Sequence, residues 1–390
     1  MNSKKLIRVG TILGMGILAG LTPAPDTWAQ SPSPNVHFIS AGLNSAQRLK
    51  FGPNVSMSVF ATGLLGPRGL KFGPDGALYV AEAGSGGPTA SATLGCAQLV
   101  PPPVGPYSGG PSARISKVTA PLQVTTVIAG LPSGKNSLPS GDTLGVADVA
   151  FIGNNLYALL AGGGCSHGNP DTPNGIILVD VDHQSFSYVA NLSAFQMANP
   201  IANPGPSLGD WEPDGSWYSM VVVNGQIYAT EPNHQEIDRI SPTTGAVHRV
   251  ADISASSSNW VGPTGMVYHG NFFFGNLAPF PIVPGSASVH KLTPSGNFKT
   301  WDAGFTTVVG VAFDYRDRLY VLELSDAAGN PTPGEGKLVR VSPSGEVEEI
   351  LGGLVVPTAM TIGPDGAIYI SNFGAAPPGA GQILRLEIND

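Results

Sequence analysis

Along most of the chain, short runs of alternating apolar and polar residues break at Gly, Pro, Asn or Asp, the pattern of half-buried strands joined by tight turns. One combination recurs: an apolar strand, a turn containing Gly, and a second strand ending in an aromatic. The copies are GLKFGPDGALYVAE (69–82), VAFIGNNLYALL (149–160), MVVVNGQIYATE (220–231), GMVYHGNFFFGN (265–276), GVAFDYRDRLYVLE (310–323) and AMTIGPDGAIYISN (359–372). The aligned aromatics Tyr79, Tyr157, Tyr228, Phe273, Tyr320 and Tyr369 are spaced by 78, 71, 45, 47 and 49 residues. The shorter intervals match a four-stranded propeller blade, and the two long ones imply loop insertions.

Each copy continues into a third strand, such as ARISKVT (113–119) or KLVRVS (337–342), and five continue into a fourth. The sixth stops at Asp390 without one, whereas SMSVFATGL (56–64), ahead of the first copy, has the matching form. The expected fold is therefore all-β: a six-bladed β-propeller of four-stranded antiparallel blades over residues 55–390, its ring closed by the N-terminal strand. Such closure removes the open edges that a sheet must otherwise protect. Insertions at 83–112, 132–147, 161–174 and 197–217 all fall in connections that leave a propeller on one face, so loops are expected to crowd that face near the channel mouth.

Composition adds location. Gly (52) and Pro (36) supply turns throughout the 390 residues, while 42% hydrophobic and 12% charged residues exclude wholesale disorder. Residues 1–29 read as a signal peptide: Lys4, Lys5 and Arg8, an apolar run from Val9 to Leu21, and Thr27-Trp28-Ala29 before a cleavage expected between Ala29 and Gln30. Residues 30–54 then form a spacer. The apolar run is shorter than the roughly 20 residues of a spanning helix, so the mature chain is expected in the periplasm or secreted, without a membrane span. Cleavage leaves 16 basic and 26 acidic residues, which gives no electrostatic footprint for nucleic acid. In an oxidising compartment Cys96 and Cys165 are expected to form a bridge between loops of neighbouring blades.

Two rings of aligned positions could carry chemistry. Three residues past each aromatic lie Glu82, Leu160, Glu231, Asn276, Glu323 and Asn372. The five oxygen-bearing side chains, if they converge on the channel, would suit a hard cation such as Ca²⁺ or Mg²⁺. Where the inner strands begin lie Arg68, Asp148, Ser219, Thr264, Val309 and Thr358. Arg68, Asp148, Thr264 and Thr358 are expected to bind a ligand at this mouth, unless Arg68 simply neutralises Glu82 or Asp148. His234, close to Glu231, and Asp148 are candidate proton carriers, although a solvated loop is the blander place for a histidine. Trp211, Trp217 and Trp260 sit in interblade loops, where exposed rings could stack on an aromatic or carbohydrate partner or could plug loops onto the ring. Basic residues recur in third strands as Lys117, Arg239, Lys291, Arg340 and Arg385, as expected for side chains that snorkel along a blade.

The run Val59-Phe60-Ala61-Thr62-Gly63-Leu64, with Gly66-Pro67-Arg68-Gly69-Leu70, Gly76-Ala77-Leu78-Tyr79-Val80-Ala81-Glu82-Ala83-Gly84 and Gly363-Pro364-Asp365-Gly366, resembles the ScyD/ScyE family of exported propellers. That resemblance implies an accessory role outside the cytoplasm in late steps of an aromatic, scytonemin-type pathway. Two functions remain open at this point. One is a periplasmic binding or accessory propeller that holds a small, aromatic molecule at the loop-rich face. The other is a metal-dependent hydrolase or lyase similar to gluconolactonase or streptogramin lyase, with Glu82, Glu231, Glu323 and the two Asn as ligands and His234 or Asp148 as acid/base. The sequence leaves the oligomeric state undetermined.

Overall fold

The computed structural model describes residues 49–138, 141–203, 211–257, 260–278 and 280–389; the expected signal peptide and most of the expected spacer lie outside them. Each repeat folds as an antiparallel blade. The third, for example, runs Ser219–Val223, Gln226–Glu231, Glu236–Ile240 and Val247–Asp252 from inside to outside. The inner strands of the six blades are Pro67–Phe72, Val146–Ile152, Ser219–Val223, Gly262–Tyr268, Val308–Phe313 and Ala359–Ile362. Each touches the next, and the sixth returns to the first, so the chain closes a six-bladed ring.

Closure follows the expected scheme. Val55–Leu64 is the outer strand of the last blade and pairs antiparallel with Gly381–Ile388, from Val55 opposite Ile388 to Leu64 opposite Gly381. Just before it, Lys50–Phe51 adds to the outer edge of the fifth blade beside Leu351 and Gly352, so the end of the spacer belongs to the ring. The first blade also gains short strands at its insertions, Thr89–Ala90 and Thr143–Leu144.

The core lies in layers between blades. The layer joining the first two blades holds Tyr79, Ala81 and Ile115 against Val149, Leu156 and Ile177. Here the repeated aromatic finds its purpose as a wedge. Tyr79 meets Phe151 of the next blade edge-on with centroids 4.9 Å apart, Phe273 meets Phe313 at 4.9 Å, and Tyr369 meets Phe72 across the ring closure at 5.0 Å. Edge-to-face pairs of this kind add to area burial.

The hairpin ends of blades are clasped by a repeated polar trio. Tyr79 donates to Asp75 at 3.0 Å while Lys117 pairs with the same carboxylate at 2.6 Å. Tyr369 and Arg385 hold Asp365 in the same way, at 2.9 and 2.7 Å. Among the recurring third-strand cations Lys117 and Arg385 are thus intrablade partners, as is Arg340 with Glu348 at 2.7 Å, and Lys291 lies over Phe273 at 5.6 Å.

Candidate functional site

A cavity of about 450 Å³ follows the axis of the ring and is lined by all six inner strands. Its walls expose polar and apolar surface in nearly equal measure, with Met266, Val311 and Met360 among the apolar side chains; the charged residues that line it are Lys71 and Asp148. In five of the six inner strands the end on the loop-rich face is buried, Ala359 of the sixth being half-buried, whereas the ends on the hairpin face, including Phe72, Phe151, Phe313 and Ile362, are half-buried, and Tyr268 is 37% exposed. The channel therefore opens on the hairpin face, opposite to the elaborated loops.

At the loop-rich end, Tyr218 spans the ring. Its hydroxyl donates to the Thr358 carbonyl at 2.7 Å, linking the third blade to the sixth, which lies opposite. Burial raises its phenol well above the ordinary range. Tyr218 escapes a repeat-based reading because it lies one residue before its inner strand, where other repeats place unrelated residues.

Asp148 is the buried pin of this end. Its carboxylate accepts from the Met220 amide at 2.8 Å, the Ser219 hydroxyl at 3.1 Å and its neighbouring Val149 amide at 2.9 Å, tying the second blade to the third. Burial raises its carboxyl, against the pull of the Lys71 charge and these donors. Gly69 makes the approach possible: a Cβ there would stand 1.9 Å from Asp148 Oδ1.

The other expected ligand residues also join blades. Thr358 donates to the Pro67 carbonyl at 2.6 Å, and Thr264 to the Val308 carbonyl, so each threonine locks its blade to the following one. Arg68 pairs with Asp142 at 2.7 Å, in the first insertion's neighbour, rather than with Glu82 or Asp148.

The oxygen-bearing ring does not converge on the channel. Glu82 accepts the Leu65 amide and pairs with Arg114 at 2.9 Å. Glu231 accepts the Ser216 amide at 2.6 Å, Glu323 the Thr306 amide at 2.9 Å, and Asn372 the Val355 amide at 2.8 Å. In all four, the side chain fastens the linker arriving from the previous blade to the end of the second strand. Asn276 turns instead to Ser288 in its own blade, at 2.7 Å. Leu160 is buried in the core. Among the described residues no group of three or more His, Cys, Asp or Glu side chains is placed to hold a metal ion.

The insertions knit into a cap. Cys96 and Cys165 are joined in a disulfide, as expected. Tyr107 donates to Glu212, whose other oxygen lies 3.8 Å from His167 Nε2, and His167 Nδ1 meets the Gly163 carbonyl at 2.6 Å. Burial works against the charged imidazole, but Glu212 and Asp214 raise the His167 pKa above its ordinary value. Tyr107, His167 and Glu212 come from three insertions, so this contact could not be read from any one of them.

His234 is buried, not solvated. Its Nδ1 lies 3.3 Å from Glu231, and Trp211 tilts over its ring at 4.0 Å. Burial disfavours the Glu231 carboxylate, yet the His234 charge and backbone donors hold its pKa below the ordinary value. Trp217 is fully buried and is core rather than a platform; Trp260 and Trp211 are half-buried.

A second acid cluster lies in the same blade. Glu236 accepts from Arg249 and from Gln196, the latter at 3.0 Å, while among the described residues both oxygens of buried Asp238 lack a hydrogen-bond partner. Burial pushes Glu236 up to about 7, against Arg249, and pushes Asp238 well above its ordinary value, with the Glu236 charge adding to the effect.

No protein-family model and no curated protein matches the chain. Solved structures share its fold. A Bacteroides thetaiotaomicron protein of unknown function is 12% identical over 87% of this chain and 77% of that one, with a TM-score of 0.53. A putative oxidoreductase (glucose dehydrogenase) of Thermus thermophilus is 18% identical over 85% of this chain and 100% of that one, at 0.51. A streptogramin B lyase is 14% identical over 86% and 98%, at 0.46. At these identities the likeness is one of fold, which hosts many chemistries.

Proposed function

We propose that this protein is an exported binding or accessory propeller that holds a small, aromatic molecule in its central channel. The observation that carries this reading is the channel itself: about 450 Å³, with walls of mixed polar and apolar surface, and open at one end. Ligand pockets commonly enclose roughly 300–1,000 Å³ with few polar groups. The resemblance to ScyD/ScyE proteins supports an aromatic molecule and a place outside the cytoplasm, to which the disulfide also conforms.

A metal-dependent hydrolase or lyase would need the aligned oxygens to face a common point, and they are engaged with linker amides instead. The discriminating measurement is thermal unfolding of the purified chain with Ca²⁺, Mg²⁺ or a neutral fused-ring compound such as 2-naphthamide. The binding reading expects the aromatic compound alone to raise the midpoint. A rise with either cation that Glu231→Ala abolishes would overturn it in favour of the metal enzyme.

A further inference from the structure

We propose that the channel takes an aromatic carboxylate, admitted from the hairpin face, with Lys71 as its counter-ion. This rests on the binding reading above and adds the ligand's charge, route and orientation.

The route follows from burial along the inner strands. The second begins with buried Val146 and ends with half-buried Phe151 and Ile152; the fourth begins with buried Gly262 and ends with Tyr268, over a third exposed. The first, third and fifth show the same gradient. At the buried end, Tyr218 crosses to Thr358 and leaves the hairpin face as the way in.

The charge follows from Lys71. It lines the channel half-buried, and among the described residues it has neither a hydrogen-bond nor an ion-pair partner. Its charge acts on Asp148 only across space, while the Asp148 oxygens are taken by the Met220, Val149 and Ser219 donors. The other inner strands place Ala150, Val221, Val267, Ala312 and Thr361 at the level of Lys71, opposite the aligned aromatics, so an ammonium stands alone among neutral neighbours. A partly desolvated cation is costly when no group contacts it directly and the channel's other charged residue, Asp148, is taken by other donors; an anion delivered by a ligand reduces that cost.

The aromatic part follows from the rim. Phe72, Phe151 and Phe313 line the outer half of the channel and are held edge-on by Tyr369, Tyr79 and Phe273, so their orientations are set before a ligand arrives. A stacked ring is already accepted there, since His269 lies on Phe313 at 4.6 Å and 16°. A bound acid would thus point its carboxylate inward to Lys71 and leave its rings among these side chains.

The test is calorimetric titration of the full chain with 2-naphthoate and its neutral counterpart, 2-naphthamide. Wild type is expected to bind the acid about tenfold more tightly, the worth of one charge-assisted hydrogen bond. Lys71→Met should erase that preference while keeping the amide's affinity, and Lys71→Arg should retain it. Ala312→Phe, which fills the channel, should weaken both, and Trp211→Ala on the opposite face should change neither. Retained preference in Lys71→Met, or undiminished binding in Ala312→Phe, overturns the proposal. Equal binding of acid and amide by wild type removes the charge assignment and leaves the broader reading standing. No binding of either compound removes both.

Discussion

At the scale of single residues, the most constrained contact is that of Gly69 with Asp148. The carboxylate occupies the space that a Cβ would need, so Gly69→Ala should cost about 1–3 kcal/mol through overpacking, measured by denaturant unfolding. Adding Asp148→Ala should return less than the full loss, because that change also strips the donors on Ser219 and Met220 of their acceptor. The acids of the third blade supply a pH dependence. Glu236, normally near 4.5, is raised to about 7, so over that window the native state keeps a proton that the unfolded chain releases. Stability is then present below the unfolded value and lost as pH rises through the folded one, with Asp238 acting in the same direction. The thermal midpoint should fall from pH 5 to pH 7.5, and Glu236→Gln with Asp238→Asn should flatten that fall. A midpoint that rises over this range in the wild type would contradict the assignment.

Elements are joined here less by their strands than by the ends of their second strands. Glu82, Glu231, Glu323 and Asn372 each receive the amide of an arriving linker, which orients one blade against the next. Loss of such a side chain leaves a buried donor without a partner. Glu82→Ala should be the most costly, about 3 kcal/mol by chemical denaturation, because Arg114 and Ser116 lose their acceptor as well. Glu82→Gln, which keeps an acceptor for Leu65, should recover part of it. The aromatic wedge acts at the same scale. Its period was visible in the sequence, but its partner, the inner strand of the following blade, lies about 70 residues away for Tyr79 and Phe151.

For the whole molecule, closure pairs a strand from the start of the ring with the last strand of the chain. Deleting residues 30–64 removes the outer strand of the sixth blade and exposes Gly381–Ile388 as an edge. The shortened chain should unfold at a clearly lower midpoint; an unchanged one would show that the shared strand is dispensable. The disulfide closes a loop of 69 residues in sequence, and Cys96→Ser should cost up to about 4 kcal/mol in the chain-entropy account. The shortfall from that figure would measure how firmly Tyr107, Glu212 and His167 already hold the insertions.

Repetition made the fold legible. Strand alternation, Gly-bearing turns and an aromatic at the same place in each copy are local signals repeated six times, so blade number, strand order, the shared first strand and the loop-rich face could all be inferred from the chain alone. The cysteine pair was legible for the same reason, since both residues fell in insertions of neighbouring blades. The site was not. Repeat position tells which residues are equivalent but not which way each side chain turns, and that depends on what neighbouring blades offer. Thus Glu231 and Glu323 turned to linker amides, Trp217 into the core, and Thr264 and Thr358 to the next blade. Only the closed ring brought Tyr218 to Thr358, across 140 residues of sequence, and so decided which end of the channel is shut. That Lys71 has no partner among the described residues was decided in the same way, because it depends on where all six strands around it are placed.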